Sequence, residues 1–405
     1  MFSLALKNLL FYKGRTLTTF LLSLCSTVLF VVYVAFMDGS HESMLKNSLS
    51  IYTGAIQVMQ EGHHENPSYD TLLEDLPSVM QTLKNIEGIR AYTPRLESFA
   101  LLSSEEDSVG AMVTGIVPES EALVSRLKEA LVKGRYLDSE DSNGLYMGEE
   151  LAKRLGVDLG DEIALVGSAT DYSFAAERFQ IIGLFRTGLF EFDASSAFVN
   201  KAYFDALMLS ETMASSIVVT VDDLEKAETV AGEIAGQMPS RVEVLTWKKL
   251  MASMVQAMEV DSLFGYISMG LFFIVVFFVI MIFGFINISG RIRELGLLRA
   301  LGVHSYEILK LLLLESAILA FASVLAGTLI GAYLAYFYEV NPIIIKGMAE
   351  TYKAYGIISD EVPTRFDLFT IAWNAMVVLL LNFLAILYPV YYIRQFTPTE
   401  AMRHV

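Results

Sequence analysis

The sequence predicts a membrane protein: four transmembrane α-helices joined to one large external α+β domain, itself two strand-helix-strand units with an inserted β-rich subdomain. Three observations carry that expectation. The 405-residue chain is 54% hydrophobic yet has a net charge of −17, and its mean hydropathy is +0.49. A chain both oily and acidic must separate lipid-facing from solvated parts. The acid is concentrated: Asp38 to Asp261 holds 37 Asp and Glu against 17 Lys and Arg, net −20, and the remainder holds 9 against 12, net +3. Within that remainder lie four uncharged runs, Thr16–Met37, Ser262–Gly290, Ser316–Tyr338 and Leu368–Ile393. Each is long enough to cross a bilayer, which takes about 20 apolar residues at helical rise.

The same composition excludes several classes. A nucleic-acid binder needs a basic face against phosphate, and the solvated block is acidic. One cysteine, Cys25, makes no internal bridge, so the 224 residues from Asp38 to Asp261 rest on an ordinary hydrophobic core.

Residues 1–15 carry Lys7, Lys13 and Arg15 with no acid and form a cytoplasmic N-terminal segment. The first span, 16–37, is too long for a signal-peptide core and no small-x-small cleavage site follows it, so it is expected to be a retained anchor. Lys7, Lys13, Arg15, Arg291, Arg293, Arg299, Lys310, Arg394 and Arg403 all fall on one side of the four spans. The other side has the acidic block and a hairpin, 339–367, with Lys346, Lys353 and Arg365 among five acids. By the positive-inside rule both termini and the loop 291–310 are cytoplasmic, and the domain 38–261 is outside. The remaining parts are spans 262–290, 311–338 and 368–393 and a cytoplasmic tail, 394–405. Glu315, at the cytoplasmic end of the third span, can reach the interface or pair with a base such as Lys310, a structural role set against a transport role.

In the external domain Thr53–Gln60 alternates like a strand. Leu72, Leu76, Val79, Met80 and Leu83 then recur at helical spacing, Gly88 ends that helix, and Ile89–Leu102 is strand-like. The order repeats with Ser216–Val221, a helix opened by Asp222 with Leu224, Ala227, Ala231 and Ile234 on one stripe, and a strand at Arg241–Leu245. Between them the insertion, about 118–200, holds a short helix, Gly144–Gly148, the helix Glu149–Leu155, and strands near Glu162–Val166, Arg178–Phe185 and Ala197–Val199. Two such units around an insertion predict an α+β arrangement assembled from both ends of the domain.

Leu250, Met251, Met254, Val255 and Met258 keep helical spacing directly before the second span, and Met44, Leu45, Ser48 and Leu49 do so after the first. Both helices are therefore expected to continue beyond the bilayer as stalks. These stripes fit simple core packing between stalks. They also fit an apolar vestibule, because unbranched, polarizable Met side chains accept varied acyl chains.

No Gly-x-x-x-x-Gly-Lys-Ser/Thr loop, Gly-x-Ser-x-Gly elbow or His-Glu-x-x-His helix occurs, so no enzymatic activity is expected of this chain. Glu61-Gly-His63-His64-Glu65 has metal-like ligands, but adjacent histidines in a turn usually point apart and no Cys or third His is near, so a solvated turn is expected and no metal site. His41 and His304 are isolated. The segment Arg291-Ile-Arg-Glu-Leu-Gly-Leu-Leu-Arg-Ala-Leu-Gly302 alternates charges at Arg291, Arg293, Glu294 and Arg299 with Ile292, Leu295, Leu298 and Leu301. It reads as a short amphipathic helix, either an anchor in the headgroups or a lever docking on a cytosolic partner.

With that loop after the second of four spans and a large domain after the first, the chain resembles the MacB/FtsX/LolC-LolE superfamily of ABC transporter permeases. Tyr388-Pro389 and the tail Pro398-Thr-Glu-Ala-Met-Arg403 are similar to that family's ending. Gly148-Glu-Glu-Leu-Ala-Lys-Arg-Leu-Gly156, Gly160-Asp-Glu-Ile163, Phe179-Gln-Ile-Ile-Gly-Leu-Phe185 and Gly188-Leu-Phe-Glu-Phe-Asp193 most resemble the transmembrane subunits of the lipoprotein-releasing system (LolC/LolE).

The resemblance implies a bacterial inner-membrane permease subunit, with the large domain in the periplasm, paired with a second permease subunit, identical or paralogous. ATP and Mg are bound by a separate cytoplasmic ABC ATPase dimer and not by this chain. The ATPase would push on Arg291, Arg293, Glu294, Gly296, Arg299 and Gly302, and the stalks would relay the movement. Lipoprotein cargo would leave the outer leaflet past Tyr33, Phe36, Met37, Met254, Met258, Leu263, Phe264 and Ile267, with membrane lipid alongside. A periplasmic carrier or adaptor would meet the hairpin 167–177, with Asp171, Tyr172 and Phe174 as contacts, although the hairpin lacks the family's proline-rich character. The alternative within the superfamily is a MacB/FtsX-like mechanotransmission permease for export or signalling. Of a different class is a membrane-anchored sensor without transport.

Overall fold

The computed structural model describes residues 2–344, 347, 361–362 and 364–393. Arg394, Arg403 and the tail motif, and Lys346 and Lys353 of the expected hairpin, lie outside the described residues. The chain opens with helix α1 (Phe2–Phe11) and α2 (Lys13–Ser48), then a π-helical turn at Leu49–Thr53. Next come β1 (Ile56–Gln60), α3 (Leu76–Leu83), β2 (Ile89–Ser103), β3 (Ser108–Ile116), α4 (Pro118–Val124), β4 (Leu131–Gly134), β5 (Gly144–Gly148) and α5 (Glu149–Leu155). The domain continues through β6 (Glu162–Ser168), β7 (Phe174–Phe185), α6 (Phe190–Asp193), β8 (Ser196–Asn200), α7 (Lys201–Met208), β9 (Ser216–Val221), α8 (Ala227–Gln237), β10 (Val242–Thr246) and α9 (Trp247–Leu250). The rest is α10 (Ala252–Ser289), α11 (Ile292–Ala300), α12 (Ser305–Val340), the short strands β11 (Ile343–Ile344) and β12 (Glu361–Val362), and α13 (Leu368–Ile393).

The chain divides into two compact units. One contains α1, α2 through Glu42, Met258–Ile344 and α13; the other is centred on Ser43–Ala257. In the first, four helices are long and apolar enough to cross a membrane. Without a hydrophobic drive between helices in lipid, association depends on close approach and interhelical hydrogen bonds. The seam between α2 and α12 is built that way. Ser323, Gly327 and Gly331 recur every fourth residue on α12 and meet Ser23, Thr27 and Val31 on α2: Ser323 Oγ donates to Ser23 Oγ at 2.8 Å. A Cβ on Gly327 would lie 2.9 Å from the Leu24 carbonyl oxygen, and one on Gly331 would lie 2.8 Å from Val31 Cβ. Ile308 and Leu312 of α12 join Ala385, Ile386 and Val390 of α13, Ile280 and Ile288 of α10 and Leu295 of α11 in one apolar cluster. The buried residues of α10 are Gly265, Met269, Ile280 and Ile288, so most of that long helix faces outward.

The second unit is built on one mixed sheet in the order β10-β1-β9-β2-β3-β8-β5-β7-β4, with β6 pairing to β2 and β7. Three apolar clusters lie on it. Ile56, Val58, Leu83, Ile217, Val219 and Ile234 fill the one formed with α3 and α8. Leu102, Val113, Leu151, Phe179 and Phe204 fill the second, with α5 and α7, and Ile116, Tyr146, Phe185 and Phe198 fill the third. The inserted region 118–200 thus shares both core and sheet with the chain that flanks it. The 15-residue strand β2 serves both parts, pairing with β9 through Ile89–Arg95 and with β6 through Leu101–Ser103.

Local details follow from sequence. The helix expected from Leu72 starts at Leu76, with Pro77 in its first turn. Leu72 and Leu73 are extended and buried instead, and Leu73 bridges to Ala214. Gly88, at φ 86°, closes the segment before β2, a conformation side chains avoid. The described elements with no counterpart in the sequence expectation include α1, β3, β4, α6 and α7, and Gly144–Gly148 is the strand β5.

Candidate functional site

Three groups of residues expected from the sequence bear on function. The first surrounds α11. The turn after α10 brings Arg291 into a nearly closed environment, where it is 6% exposed and Glu315 of α12 is 7% exposed. Arg291 Nη1 donates to Glu315 Oε2 at 2.7 Å and Nη2 to Oε1 at 3.4 Å. Asn8 of α1 donates through Nδ2 to the same Oε1 at 2.6 Å. The guanidinium also lies 5.0 Å from the centre of the Tyr12 ring, and the Tyr12 hydroxyl donates to Glu294. Arg291 Nε makes no hydrogen bond and stands 3.6 Å from Glu294 Oε2.

The expected pairing of Glu315 with Lys310 is therefore corrected. Five residues apart on one helix, the two side chains point about 140° apart around the axis. Lys310 instead lies 4.5 Å from the centre of the Tyr306 ring. Of the expected coupling residues, Arg291 and Gly296 are buried with Leu295, Arg299 is half-buried, and Arg293, Glu294 and Gly302 are exposed. Gly302, at φ 92°, follows the last turn of α11 and supplies its left-handed stop. Leu297 and Leu301 are 58% and 75% exposed. The helix thus offers an outward surface of mixed charge and leucine, with its inner side fixed by the Arg291 network.

The second group is the expected cargo lining. Tyr33 and Phe36 on α2, and Leu263, Phe264 and Ile267 on α10, are exposed. Met37 is buried in the contact between the two helices: a Cβ on Gly265 would lie 2.7 Å from Met37 Sδ and 3.4 Å from the Tyr33 hydroxyl. Met254 and Met258, one turn apart on α10, are half-buried. His41 Nε2 lies 3.0 Å from Asp261 Oδ2 and Arg365 Nε 3.4 Å from Glu42 Oε2, so polar side-chain contacts join the elements at this end of the helices.

The third group is the β6–β7 hairpin. Its tip closes through Tyr172 N donating to Ala169 O at 2.9 Å, with Tyr172 at φ 63°. Asp171 Oδ1 accepts from Ser173 N at 2.9 Å, and hydrogen bonding from Ser173 holds its carboxyl below the ordinary range. The Tyr172 hydroxyl donates to Asp70 Oδ2 at 2.8 Å, which raises its pKa, and its ring packs edge-on against Tyr69. Tyr172 and Phe174 remain exposed, Phe174 at 77%. The hairpin is a braced support displaying two aromatic rings.

A fourth group, buried in the large unit, is not among the sequence expectations. Arg95 and Glu121 form a bidentate pair, and Arg95 Nη1 donates to the Tyr52 carbonyl at 2.5 Å. The Tyr52 hydroxyl donates to Glu97. An arginine inside the buried half of a strand was the available signal. In the Glu61–Glu65 turn, His63 is buried and shares a 2.8 Å hydrogen bond between Nδ1 and Thr71 Oγ1, whereas His64 is exposed. Among the described residues, no three His, Cys, Asp or Glu groups are arranged to hold a metal.

Comparison with known proteins agrees along the chain. The MacB-like periplasmic core domain model matches residues 16–237, and the FtsX-like permease C-terminal model matches residues 266–398. The chain is similar to the lipoprotein-releasing system transmembrane protein LolC of Xylella fastidiosa strain Temecula1, 25% identical over 323 residues and 77% of each chain. It is also similar to the LolC of Neisseria meningitidis serogroup B, 23% identical over 362 residues and 86% of each chain. Among solved structures, the periplasmic region of MacB from Actinobacillus actinomycetemcomitans is 16% identical with a TM-score of 0.38, covering 52% of this chain and 97% of that one. Since the first family model spans more than half of the chain and the second covers most of the remainder, the chain belongs to the FtsX/MacB family of ABC-type permeases.

Proposed function

We propose that this chain is a permease subunit that, driven by a separate ATPase, draws lipid-anchored proteins from the outer leaflet of the inner membrane and passes them to a periplasmic carrier. In this reading both termini and α11 are cytoplasmic and the large domain is periplasmic, which the distribution of basic residues about the spans supports. The observation that carries the proposal is the similarity, over 77% and 86% of the chain, to relatives named for lipoprotein release. The apolar residues exposed on α2 and α10 suit the task. Lifting an acyl chain out of a bilayer costs about 0.8 kcal/mol per methylene, so an energy source and a sheltered apolar path are both needed.

The test is cargo capture. Purified with its ATPase, the chain should retain triacylated lipoproteins, and Met254→Glu or Met258→Glu should abolish their release while assembly persists. Recovery of delipidated peptide alone would overturn the proposal.

A second reading, mechanotransmission with nothing passing between the spans, is favoured by the match of the large domain to the MacB-like core. It requires a periplasmic adaptor for activity and no lipid between α2 and α10, and captured acylated cargo excludes it.

A further inference from the structure

We propose that Arg291 and Glu315 form the joint through which displacement of α11 reaches α12 and, along the Ser323–Gly327–Gly331 seam, α2. Glu315 is then a positioning residue for the ATP-driven stroke. The inference rests on the reading of the chain as an ATP-driven permease, but its route is drawn from the packing.

A push delivered to α11 enters the membrane unit through the turns at its two ends, into α10 and α12, through the packing of Leu295 in the apolar cluster, and through the Arg291 network. The last joins α11 to α12 by a bidentate charged pair and ties α1 to the same carboxylate through Asn8. Both charges are nearly excluded from solvent, and a two-point guanidinium–carboxylate contact fixes direction as well as distance. Beyond Glu315, α12 continues into the close seam with α2, where glycines allow backbone contact and rigid transmission.

A well-packed apolar pair would hold two helices together at least as stably as a buried ion pair. What the ion pair adds is orientation, together with a spare donor. Arg291 Nε stands 3.6 Å from Glu294 Oε2 of α11, so carboxylates of both helices face the one guanidinium and set α11 and α12 to move together.

The test uses the full chain with its ATPase in lipid nanodiscs, with Cys25→Ser and spin labels at Ala300→Cys and Val340→Cys, both exposed positions. Distances are measured without nucleotide and with a non-hydrolysable ATP analogue. With the joint intact, α11 and α12 move as one body and the distance holds to within about 2 Å. In Glu315→Gln it shifts by more than that on nucleotide binding, and the exchanged pair Arg291→Glu with Glu315→Arg restores the rigid response. A rigid response in Glu315→Gln, or an exchanged pair that does not restore it, overturns the proposal. If Glu315→Gln does not fold, the exchanged pair decides alone: a folded, rigid exchange upholds the joint, and a folded but loose exchange, or one that does not fold, overturns it. A parent chain that binds no ATPase removes the functional reading itself, and that result is seen before any variant is compared.

Discussion

Arg95 and Glu121 face each other inside the large domain with neither side chain exposed, joined at 3.0 Å through Nε and 2.7 Å through Nη2. Arg95 also stacks 3.9 Å from the centre of the Tyr52 ring, so the pair fastens β2 and α4 to the turn that follows α2. Burial, the largest influence, works against the guanidinium's charge, but Glu121, Tyr52 and Glu97 together outweigh it and hold the Arg95 pKa above its ordinary value. Glu121→Ala strands a buried cation and should cost about 3–5 kcal/mol. Arg95→Met with Glu121→Leu should cost far less, because no charge is left unpaired. Hydrogen exchange of β2 and α4 amides in the full chain measures both; equal loss of protection in the two variants would contradict the account.

The α2–α12 seam makes a prediction with an internal control. Gly327→Val places carbon against the Leu24 carbonyl oxygen and Thr27, where even a Cβ has only 2.8–2.9 Å. Neither neighbour is the free end of a flexible chain, so the helices must part and the Ser323–Ser23 bond is lost. Overpacking of this kind costs typically about 1–3 kcal/mol. A Cβ on Gly270, in α10, would meet no atom within 4 Å, and Gly270→Val should leave thermal stability of the detergent-solubilised chain nearly unchanged while Gly327→Val lowers it.

How much of this was legible in the sequence depended on periodicity. Ser216–Val221 and Glu149–Leu155 announce themselves by β-branched or amphipathic runs, and both occupy the expected residues. Strand β3 does not, because Gly110 and Gly115 interrupt its pattern; the exposed Phe99 ring lies over Gly110, and Gly115 lets the buried Phe204 and the Lys201 backbone approach closely. Helix α1 is masked by Lys7 and Asn8 among its apolar residues. At the sites, the α11 motif and Glu315 were both visible, but their connection was not. Arg291 and Glu315 are 24 positions apart on different helices, as Arg95 and Glu121 are 26 apart, and no local spacing rule reaches that far.

His63 gives the large domain a pH dependence whose sign can be worked out. Burial, the largest influence, lowers its pKa from 6.5. Between the folded value and 6.5 the unfolded chain binds more protons, so stability rises with pH through that window and levels off above it. Acidification from pH 7.5 to 5.5 should therefore weaken exchange protection around Thr71 and β1. His63→Gln, which can keep a bond to Thr71 but does not titrate, should flatten that slope; an unchanged slope would assign the effect elsewhere.

The β6–β7 hairpin separates a contact role from a folding role. Phe174 is 77% exposed, so Phe174→Ala should leave domain stability within about 0.5 kcal/mol, as for surface changes away from special features. Tyr172 is different, because its hydroxyl is bonded to Asp70 and its ring lies against Tyr69. Tyr172→Phe removes the bond and keeps the ring. If the hairpin receives a carrier or adaptor through its aromatic rings, Phe174→Ala should weaken capture of that partner by about tenfold, the loss of about 1.4 kcal/mol. Tyr172→Phe should weaken it less, since the ring persists. Pull-down of such a carrier or adaptor by the full chain reads both, and the reverse order would move the contact from the rings to the braced Asp70–Tyr172 edge.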